Sequence, residues 1–592
     1  MQAAAHNPAF SAAREERASR FFTVQLLRTL AACLNDYPWL SFAAISLLGG
    51  CIRLWSFPSH FLSHDELFSY YIAEANSLSE LVRLTHTVDL HPPLSYLLIR
   101  ASFAVFGRSI WACRLPSVLC FLAATGLVFW LARRLTTPVF AAVALLTLWS
   151  APITYRVAEA RPYSALLCFT TLLVASWYSC VAEENAESPA RSAIRGWRPA
   201  LVATAALAVL LSHVLGVLSL AVVMAAEAVR FVVRKKADWS LWAALVLPLA
   251  AVASYLPLFH TSSGLLFASQ YRASPSRLLA FYWDFIHCVP LPLAVIVLAS
   301  LFWPTQNESI AAHGQPDSAR TFALVWPLRS LLAGFALVPL LIGAAFANKG
   351  VAFFDRYGIA FLIPFSLAPA MLAARRTRAN RMAGTVFALI LTVVFILNTV
   401  AKSWLIEELS EYVPPKAAGK LLAVLTLPFI VAPSNPLVPS RLGAQLADAR
   451  VVSDIDSLEP ALPIVANTGL TFLELDFQGS EPLVRRLYLL EDRQAAVTIA
   501  HDTVFENYNR LKEVFPIRGS IEPYCEFVRR HPRFLVFGTF NHPQGWVLKR
   551  LEGQGSDLRI LGTYNNTTEG SQVYQATVSA NQSLECAAVA PD

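Results

Sequence analysis

The sequence predicts a polytopic α-helical membrane protein of about 11 spans, followed by a small α/β soluble domain. Three observations carry this: a scarcity of charge, a succession of long apolar runs, and the place where the remaining charge is concentrated. Of 592 residues, 15% are charged and 56% hydrophobic, with a mean hydropathy of +0.49. An ordinary soluble domain carries about 25% charge, and so depleted a chain cannot keep its apolar surface covered in water. Collagen-like, disordered and disulfide-scaffold architectures are excluded by the same composition. Residues 401–592 hold 17 basic and 22 acidic residues, net −5, and residues 1–400 hold 30 and 18, net +12. The membrane body is therefore placed at 38–400 and the soluble domain at 401–592.

Residues 1–37 contain Arg14, Arg17, Arg20 and Arg28 and lack the short apolar core and cleavage site of a signal peptide. They read as a cytoplasmic segment, with an interfacial helix near 21–34. Spans are expected near 38–57, 110–132, 138–155, 162–181, 199–212, 214–233, 239–259, 286–303, 326–346, 357–374 and 382–400. Basic clusters then fall on alternate connections: Arg133 and Arg134; Arg191, Arg195 and Arg198; Arg234, Lys235 and Lys236; Arg375, Arg376, Arg378 and Arg381. This is the positive-inside pattern, and eleven spans put the soluble domain outside. If the short run Leu421–Ala432 also spans, the tail moves to the cytoplasm. The first outer loop, 58–109, carries helical stretches at Leu67–Ala75 and Leu94–Val105 and is expected on the membrane surface. In the tail, strands are expected at Leu462–Ala466, Phe534–Phe537 and Val573–Val578, with a helix over Thr503–Val514.

Polar groups at the outer ends of these spans carry the chemistry. His64-Asp65-Glu66 follows the first span, and Asp89-Leu90-His91-Pro92-Pro93 closes the same loop. Carboxylates at a membrane boundary are costly when unpaired, and one that removes a proton from a hydroxyl serves group transfer to an alcohol. The alternative is that Asp65 and Asp89 cap the two loop helices; spacing alone does not separate the readings. Glu159-Ala160-Arg161-Pro162-Tyr163 opens the fourth span, and Asp355-Arg356-Tyr357 opens the tenth. An arginine there suits a phosphate headgroup, or else pairs with Glu159 or snorkels to lipid. His213, between two apolar runs, reads as a packing histidine.

The sequence contains no Walker loop, no GxGxxG after a strand and no HExxH, so ATP-driven transport, dinucleotide chemistry and zincin proteolysis lack support. Asp454-Ile455-Asp456 reads as a solvated loop. Asn307, Asn566 and Asn581 open glycosylation sequons, a pattern frequent by chance. The nine cysteines are scattered without metal-ligand spacing. Cys525 and Cys586 alone lie in the tail, where a disulfide between them is compatible with the sequence and not required by it.

Together, His64-Asp65-Glu66-Leu67-Phe68-Ser69-Tyr70-Tyr71, Asp89-Leu90-His91-Pro92-Pro93-Leu94, Phe106-Gly107, Arg114-Leu115-Pro116, Glu159-Ala160-Arg161-Pro162-Tyr163 and Arg356-Tyr357 resemble the GT-C class of integral-membrane glycosyltransferases. The likeness is to the superfamily of protein O-mannosyltransferases and lipid A aminoarabinose transferases, and covers roughly residues 38–400; the tail is not carried by it. The resemblance implies a hexosyl or pentosyl transfer from a polyprenyl-phosphate sugar donor to a hydroxyl acceptor on a lipid, glycan or protein, at the outer face of the inner or plasma membrane. It implies Asp65 as the catalytic carboxylate, with Glu66 beside it and Asp89 also in the catalytic set; partial desolvation at the interface would raise the Asp65 pKa and suit it as general base, with single displacement inverting the anomeric centre. His91, Glu159, Arg161, Tyr163, Arg356 and Tyr357 become substrate-binding candidates, with Arg161 and Arg356 on the carrier phosphate. No cofactor or metal is expected. The competing class is a transporter or lipid-linked glycan flippase, whose polar groups usually sit near the bilayer midplane; a polymerase or ligase of lipid-linked glycans would share the carrier. The tail is expected to be an accessory domain that presents the acceptor or covers the site, and its net −5 argues against nucleic acid.

Overall fold

The structure, a computed structural model, describes residues 23–54, 62–89, 91–151, 153–154, 157–183, 197–255, 271–288, 318–347, 351–397, 449–506, 508–564 and 571–578. Ten of the eleven expected spans have a helix in their place: Pro38–Leu54, Ile110–Leu135, Pro138–Ser150, Tyr163–Glu183, Arg198–Ser212, Gly216–Arg234, Trp239–Val246 with its 3-10 continuation Leu247–Tyr255, Ser318–Ala347, the 3-10 turn Asp355–Phe361 running into Leu362–Arg376, and Arg381–Ile396. The expected span at 286–303, the run Leu421–Ala432, the sequon asparagines and Cys586 lie outside the described residues, apart from the last turn of a helix that the sequence did not suggest, Pro275–Cys288. Among the described residues, five helices are long and apolar enough to cross a membrane unaided. The shorter ones include Pro138–Ser150, buried on nearly every side, which marks it as a core helix of the bundle.

Local chemistry sets the helix ends. Ser109 accepts a hydrogen bond from the Ala112 amide to start Ile110–Leu135, Pro138 occupies the first turn of its helix, and the Asn380 side chain accepts from Met382 and Ala383. Arg133 and Arg134, Arg234, and Arg375 and Arg376 lie in last turns, where a cation complements the helix dipole. Inside the bundle, Glu227 accepts from Arg230 Nε (2.8 Å) and Trp177 Nε1 (3.0 Å), both partners fully enclosed. This satisfied cluster fastens Tyr163–Glu183 to Gly216–Arg234.

Beyond the membrane body a six-stranded sheet has the order β3-β2-β1-β4-β6-β5, where β1 is Ile464–Ala466, β2 Leu487–Glu491, β3 Ser520–Pro523, β4 Arg533–Gly538, β5 Asp557–Tyr564 and β6 Ser571–Thr577. Strands β1 to β4 pair in parallel and β4-β6-β5 antiparallel. The three expected strands coincide with β1, β4 and β6. The helix expected over Thr503–Val514 is one turn, Tyr508–Lys512. Asp454-Ile455-Asp456 is helical within Ala449–Ser457, with Ile455 fully buried, so the solvated-loop reading does not hold.

The described residues of loop 58–109 form three α-helices, His64–Ala73, Leu78–Leu84 and Leu94–Phe106, with the π-turn Thr85–Asp89 continuing the second. Leu67, Tyr71, Ile72 and Phe103 from this loop share one apolar core with Ile464, Phe472, Leu487 and Phe515 of the sheet domain. The loop is thus packed between the membrane body and the sheet domain.

Candidate active site

The helix His64–Ala73 begins at Ser63, whose side chain forms a capping box with Glu66. Neither Asp65 nor Asp89 is a helix cap: Asp65 lies inside the first turn, and the helix Leu94–Phe106 is preceded by Pro93 without a side-chain cap. The capping explanation of both carboxylates is therefore ruled out.

Glu66 is 1% exposed and accepts from Arg114 Nε (2.6 Å) and Nη2 (2.7 Å), the Ala160 amide (2.9 Å) and the Ser63 amide (3.0 Å). Burial alone would raise its pKa, but Arg114 and these amides hold it below the usual range. With both oxygens engaged, Glu66 ties the loop helix to the span beginning at Ile110 and to the turn before Tyr163.

Asp89 is likewise committed. Arg161 grips both its oxygens, with Nη2 to Oδ1 at 3.0 Å, and the Tyr96 hydroxyl donates to Oδ2 at 2.6 Å. Burial opposes ionisation, yet Arg161 and His91 hold Asp89 well below the ordinary carboxylate range. Arg161 and Tyr96 thus hold it as a fixed anion. Arg161 also donates to the Asp65 carbonyl (2.9 Å) and Ser69 Oγ (3.3 Å). It pairs with Asp89 and not, as the alternative reading had it, with Glu159, and its buried Nε has no partner. The guanidinium is set by a turn in which the Arg161 amide donates to Glu159 O (2.7 Å), just before Pro162 and the next helix. The Glu159 carboxylate adds negative charge near Arg114 and Arg356. His91 donates from Nδ1 to the Asp89 carbonyl at 2.6 Å.

Asp65 is the accessible carboxylate, its side chain 31% exposed. Arg356 Nη1 stands 2.8 Å from Oδ2, and His64 Nδ1 lies 3.5 Å from Oδ1. The expected raised pKa is overturned. Burial pushes it up, but Arg356, the His64 contact and Arg161 together hold the carboxyl well below its usual value. The sequence could not supply this, because Arg356 lies almost 300 residues away along the chain.

Arg356 is held by its backbone. Residues Tyr271–Ala273 and Val351–Phe353 pair antiparallel, with Phe353 N to Tyr271 O at 2.8 Å and Ala273 N to Val351 O at 3.0 Å, and Arg356 follows at the start of a 3-10 turn. Its guanidinium lies over the rings of Phe354 (4.7 Å) and Tyr163 (5.5 Å). Tyr163 and Tyr357 are 6.4 Å apart by ring centroid.

His213 belongs to this cluster, against the packing-histidine reading. Its ring lies 4.9 Å from His91, 5.4 Å from Tyr163 and 6.2 Å from Tyr357. It stands in an extended break between two helices, where its carbonyl accepts from Gly216 N at 2.8 Å. A Cβ at Gly216 would come within 2.4 Å of the Val209 carbonyl, so the turn requires glycine. His213 Nδ1 accepts from Leu215 N at 3.0 Å, which puts the proton of the neutral ring on Nε2. Burial, then His91 and the two arginines, keeps the ring neutral. Buried Nε2 of His213, Nε of Arg161 and Nε of Arg356 have no partner. Each is a buried donor able to meet an oxygen acceptor on a ligand.

Two further residues beside the site carry no signal in the sequence. From the sheet domain, Glu474 Oε1 accepts from the His64 amide at 3.0 Å, and the Tyr508 hydroxyl bonds His64 Nε2.

Residues 90–257 match the family model described as dolichyl-phosphate-mannose-protein mannosyltransferase, a segment that contains His91, Arg114, Arg161 and His213. Among curated proteins none matches. Solved structures similar to this chain include ArnT from Cupriavidus metallidurans bound to undecaprenyl phosphate, at 15% identity and TM-score 0.49, covering 94% of this chain and 99% of that one. The apo state of the same protein aligns at 14% identity and TM-score 0.48, covering 94% and 100%. The oligosaccharyltransferase AglB from Archaeoglobus fulgidus, in complex with an inhibitory peptide and a dolichol-phosphate, aligns at 12% identity and TM-score 0.36, covering 84% and 69%.

Proposed function

We propose that this chain, matched over residues 90–257 by the mannosyltransferase family model, is a GT-C glycosyltransferase that moves a sugar from a polyprenyl-phosphate carrier to a hydroxyl acceptor at the outer membrane face. The observation that carries the reading is the pair Asp65–Arg356: an accessible carboxylate held 2.8 Å from a guanidinium that has an unpartnered Nε.

Helix direction supports a site at one membrane face. Ile110–Leu135, Gly216–Arg234 and Asp355–Arg376 each start beside the site, at Arg114, His213 and Arg356, and end in basic residues. At 1.5 Å per residue the longest separates these ends by about 39 Å. A transporter would place its key polar groups nearer the midplane. Cys525 is disulfide-bonded, and such bonds persist in oxidising compartments. This supports a periplasmic or extracellular place for the sheet domain.

In the proposed reaction the donor phosphate takes over Arg356 from Asp65, and the orphaned donors of Arg356 and His213 bind its oxygens. Asp65 then loses the cation that depresses its pKa while keeping the burial that raises it, and becomes a stronger base when the donor is bound. The acceptor oxygen forms a bond to the anomeric carbon as the bond from that carbon to the phosphate oxygen breaks. The electron pair leaves with the phosphate, where Arg356 stabilises it, and the hydroxyl proton passes to Asp65. One displacement inverts the anomeric configuration. Arg161 and Asp89 hold the loop in place, and Tyr163, Tyr357 and His91 line the sugar and phosphate side.

Metal independence belongs to the same proposal: turnover should survive a chelator, and loss restored by Mg²⁺ or Mn²⁺ would oppose it. The deciding experiment incubates the purified protein in lipid with a panel of polyprenyl-phosphate sugars and hydroxyl acceptors. Transfer with inverted configuration is expected; a product that retains the donor configuration would sink the single-displacement mechanism, and no transfer across the panel would sink the proposed reaction.

A further inference from the structure

The C-terminal sheet domain reaches the active site. Its helix Gly469–Gln478 packs on the loop helix His64–Ala73, and aromatic contacts line the seam: Phe68 to Phe515 at 5.3 Å, Tyr71 to Phe515 at 4.9 Å and Tyr70 to Phe477 at 5.5 Å. A helix leaves its first amides without intrahelical partners. The Ser63–Glu66 box satisfies one end of this turn, and the His64 amide is satisfied from the other domain by Glu474 Oε1 at 3.0 Å, across 410 residues of sequence.

We propose that Glu474 is a positioning residue for the transfer reaction: its carboxyl, with Tyr508, fixes His64 and thereby the first helical turn that carries Asp65, so that the sheet domain is part of the active site. This rests on the assignment of Asp65 as the base. Glu474 is 8% exposed and its Oε2 has no partner. Tyr508 is 4% exposed and its hydroxyl bonds His64 Nε2, while the opposite nitrogen of that ring faces Asp65. A domain that merely covered the site would not place a buried carboxyl and a buried phenol on the residue next to the base.

Around Glu474 stand Asp65, Glu66 and His64 from the loop helix and Tyr508 from its own domain. Burial raises its pKa, the His64 amide lowers it, and Asp65 and Glu66 raise it further, to about 8. Burial, Asp65 and Glu474 push the Tyr508 hydroxyl well above its usual value, so it stays protonated. At neutral pH Glu474 is uncharged beside two carboxylates. Ionisation near pH 8 adds a third negative charge to the turn and loosens it.

The experiment uses full-length protein in lipid and two readouts. The first is the ratio of kcat at pH 9 to kcat at pH 7. It should fall about tenfold in the wild type, as a group of pKa near 8 ionises, and stay within about twofold in Glu474→Gln, which keeps the oxygen acceptor and cannot ionise. KM for the donor should follow the same course in both. The second is amide exchange over residues 64–67, which needs no substrate: it should accelerate between pH 7 and pH 9 beyond the intrinsic rate in the wild type and not in Glu474→Gln. Equal pH ratios in the two proteins, or equal exchange, would overturn the proposal. If no donor is consumed by the wild type, the function assigned above fails, and exchange alone still decides the contact.

Discussion

Arg356 Nη1 sits 2.8 Å from Asp65 Oδ2, with the guanidinium over the Tyr163 ring and the rings of Tyr357 and His213 grouped around Tyr163. In the proposed reaction the pair keeps the base weak until a competing anion arrives, and three of the predictions below follow from that coupling.

Removing the cation removes the phosphate clamp. Arg356→Ala should weaken binding of undecaprenyl phosphate by about 10- to 100-fold, the scale of a hydrogen bond to a charged group. Arg356→Lys should restore it only in part, because an ammonium lacks the planar fork. Titration calorimetry in nanodiscs reads both, and unchanged affinity in Arg356→Ala would remove its assigned role.

The acid limbs of the two kinetic profiles should separate. The free enzyme holds Asp65 well below its ordinary value through Arg356, so the acid limb of kcat/KM should lie below the ordinary carboxylate range. With donor bound, Arg356 is occupied and the base is stronger, so the limb in kcat should lie at higher pH. Coincident limbs would contradict the exchange of partners.

His213→Phe keeps an aromatic ring and deletes both the Nε2 donor and the Nδ1 acceptor of the Leu215 amide. A neutral hydrogen bond contributes about 0.5–1.5 kcal/mol, so the donor KM should rise about 3- to 10-fold, and the unpaired Leu215 amide should lower the melting temperature by a few degrees without unfolding the protein. An unaltered KM would return His213 to a packing role.

The Asp89–Arg161 pair is structural, with side chains 10% and 4% exposed. Breaking a buried pair by removing one partner costs about 3–5 kcal/mol. Asp89→Ala and Arg161→Ala should each lower the apparent melting temperature sharply, and the double variant should lose much less than the two together. Additive losses would deny the coupling.

Glu474 carries a stability signature with the opposite sign to a paired carboxylate. Its folded pKa of about 8 exceeds an unfolded value of about 4.3. The folded state therefore holds more protons between these values, and stability from this group falls as pH rises from about 4 to 8, then levels. Melting profiles of wild type and Glu474→Gln should converge at acid pH and part toward pH 8; parallel profiles would refute the burial of an uncharged carboxyl.

The sequence disclosed the membrane body well, because span length, Pro138 at a helix start and terminal arginines are local signals. It also singled out Asp65, Arg161, Arg356, Tyr163 and Tyr357. What it could not disclose was which partner each charge chooses. Asp89 and Glu66 looked as available as Asp65 until Arg161 and Arg114 were seen to saturate them. His213 looked like packing because its orphaned Nε2 is a property of its neighbours. Glu474 and Tyr508 were invisible, since a carboxyl and a phenol in an α/β tail carry no sign of where the domain docks. Strand β2, Leu487–Glu491, lay inside an apolar run with no alternation to betray it.

The account turns on Asp65 as the base that becomes effective once the donor is bound. The direct measurement compares wild type with Asp65→Asn in lipid, following transfer from the best polyprenyl-phosphate sugar and, in parallel, affinity for undecaprenyl phosphate. Turnover should fall at least about 100-fold, with affinity equal or tighter because Arg356 loses its competing carboxylate. Donor consumption at the same rate by both proteins would contradict it.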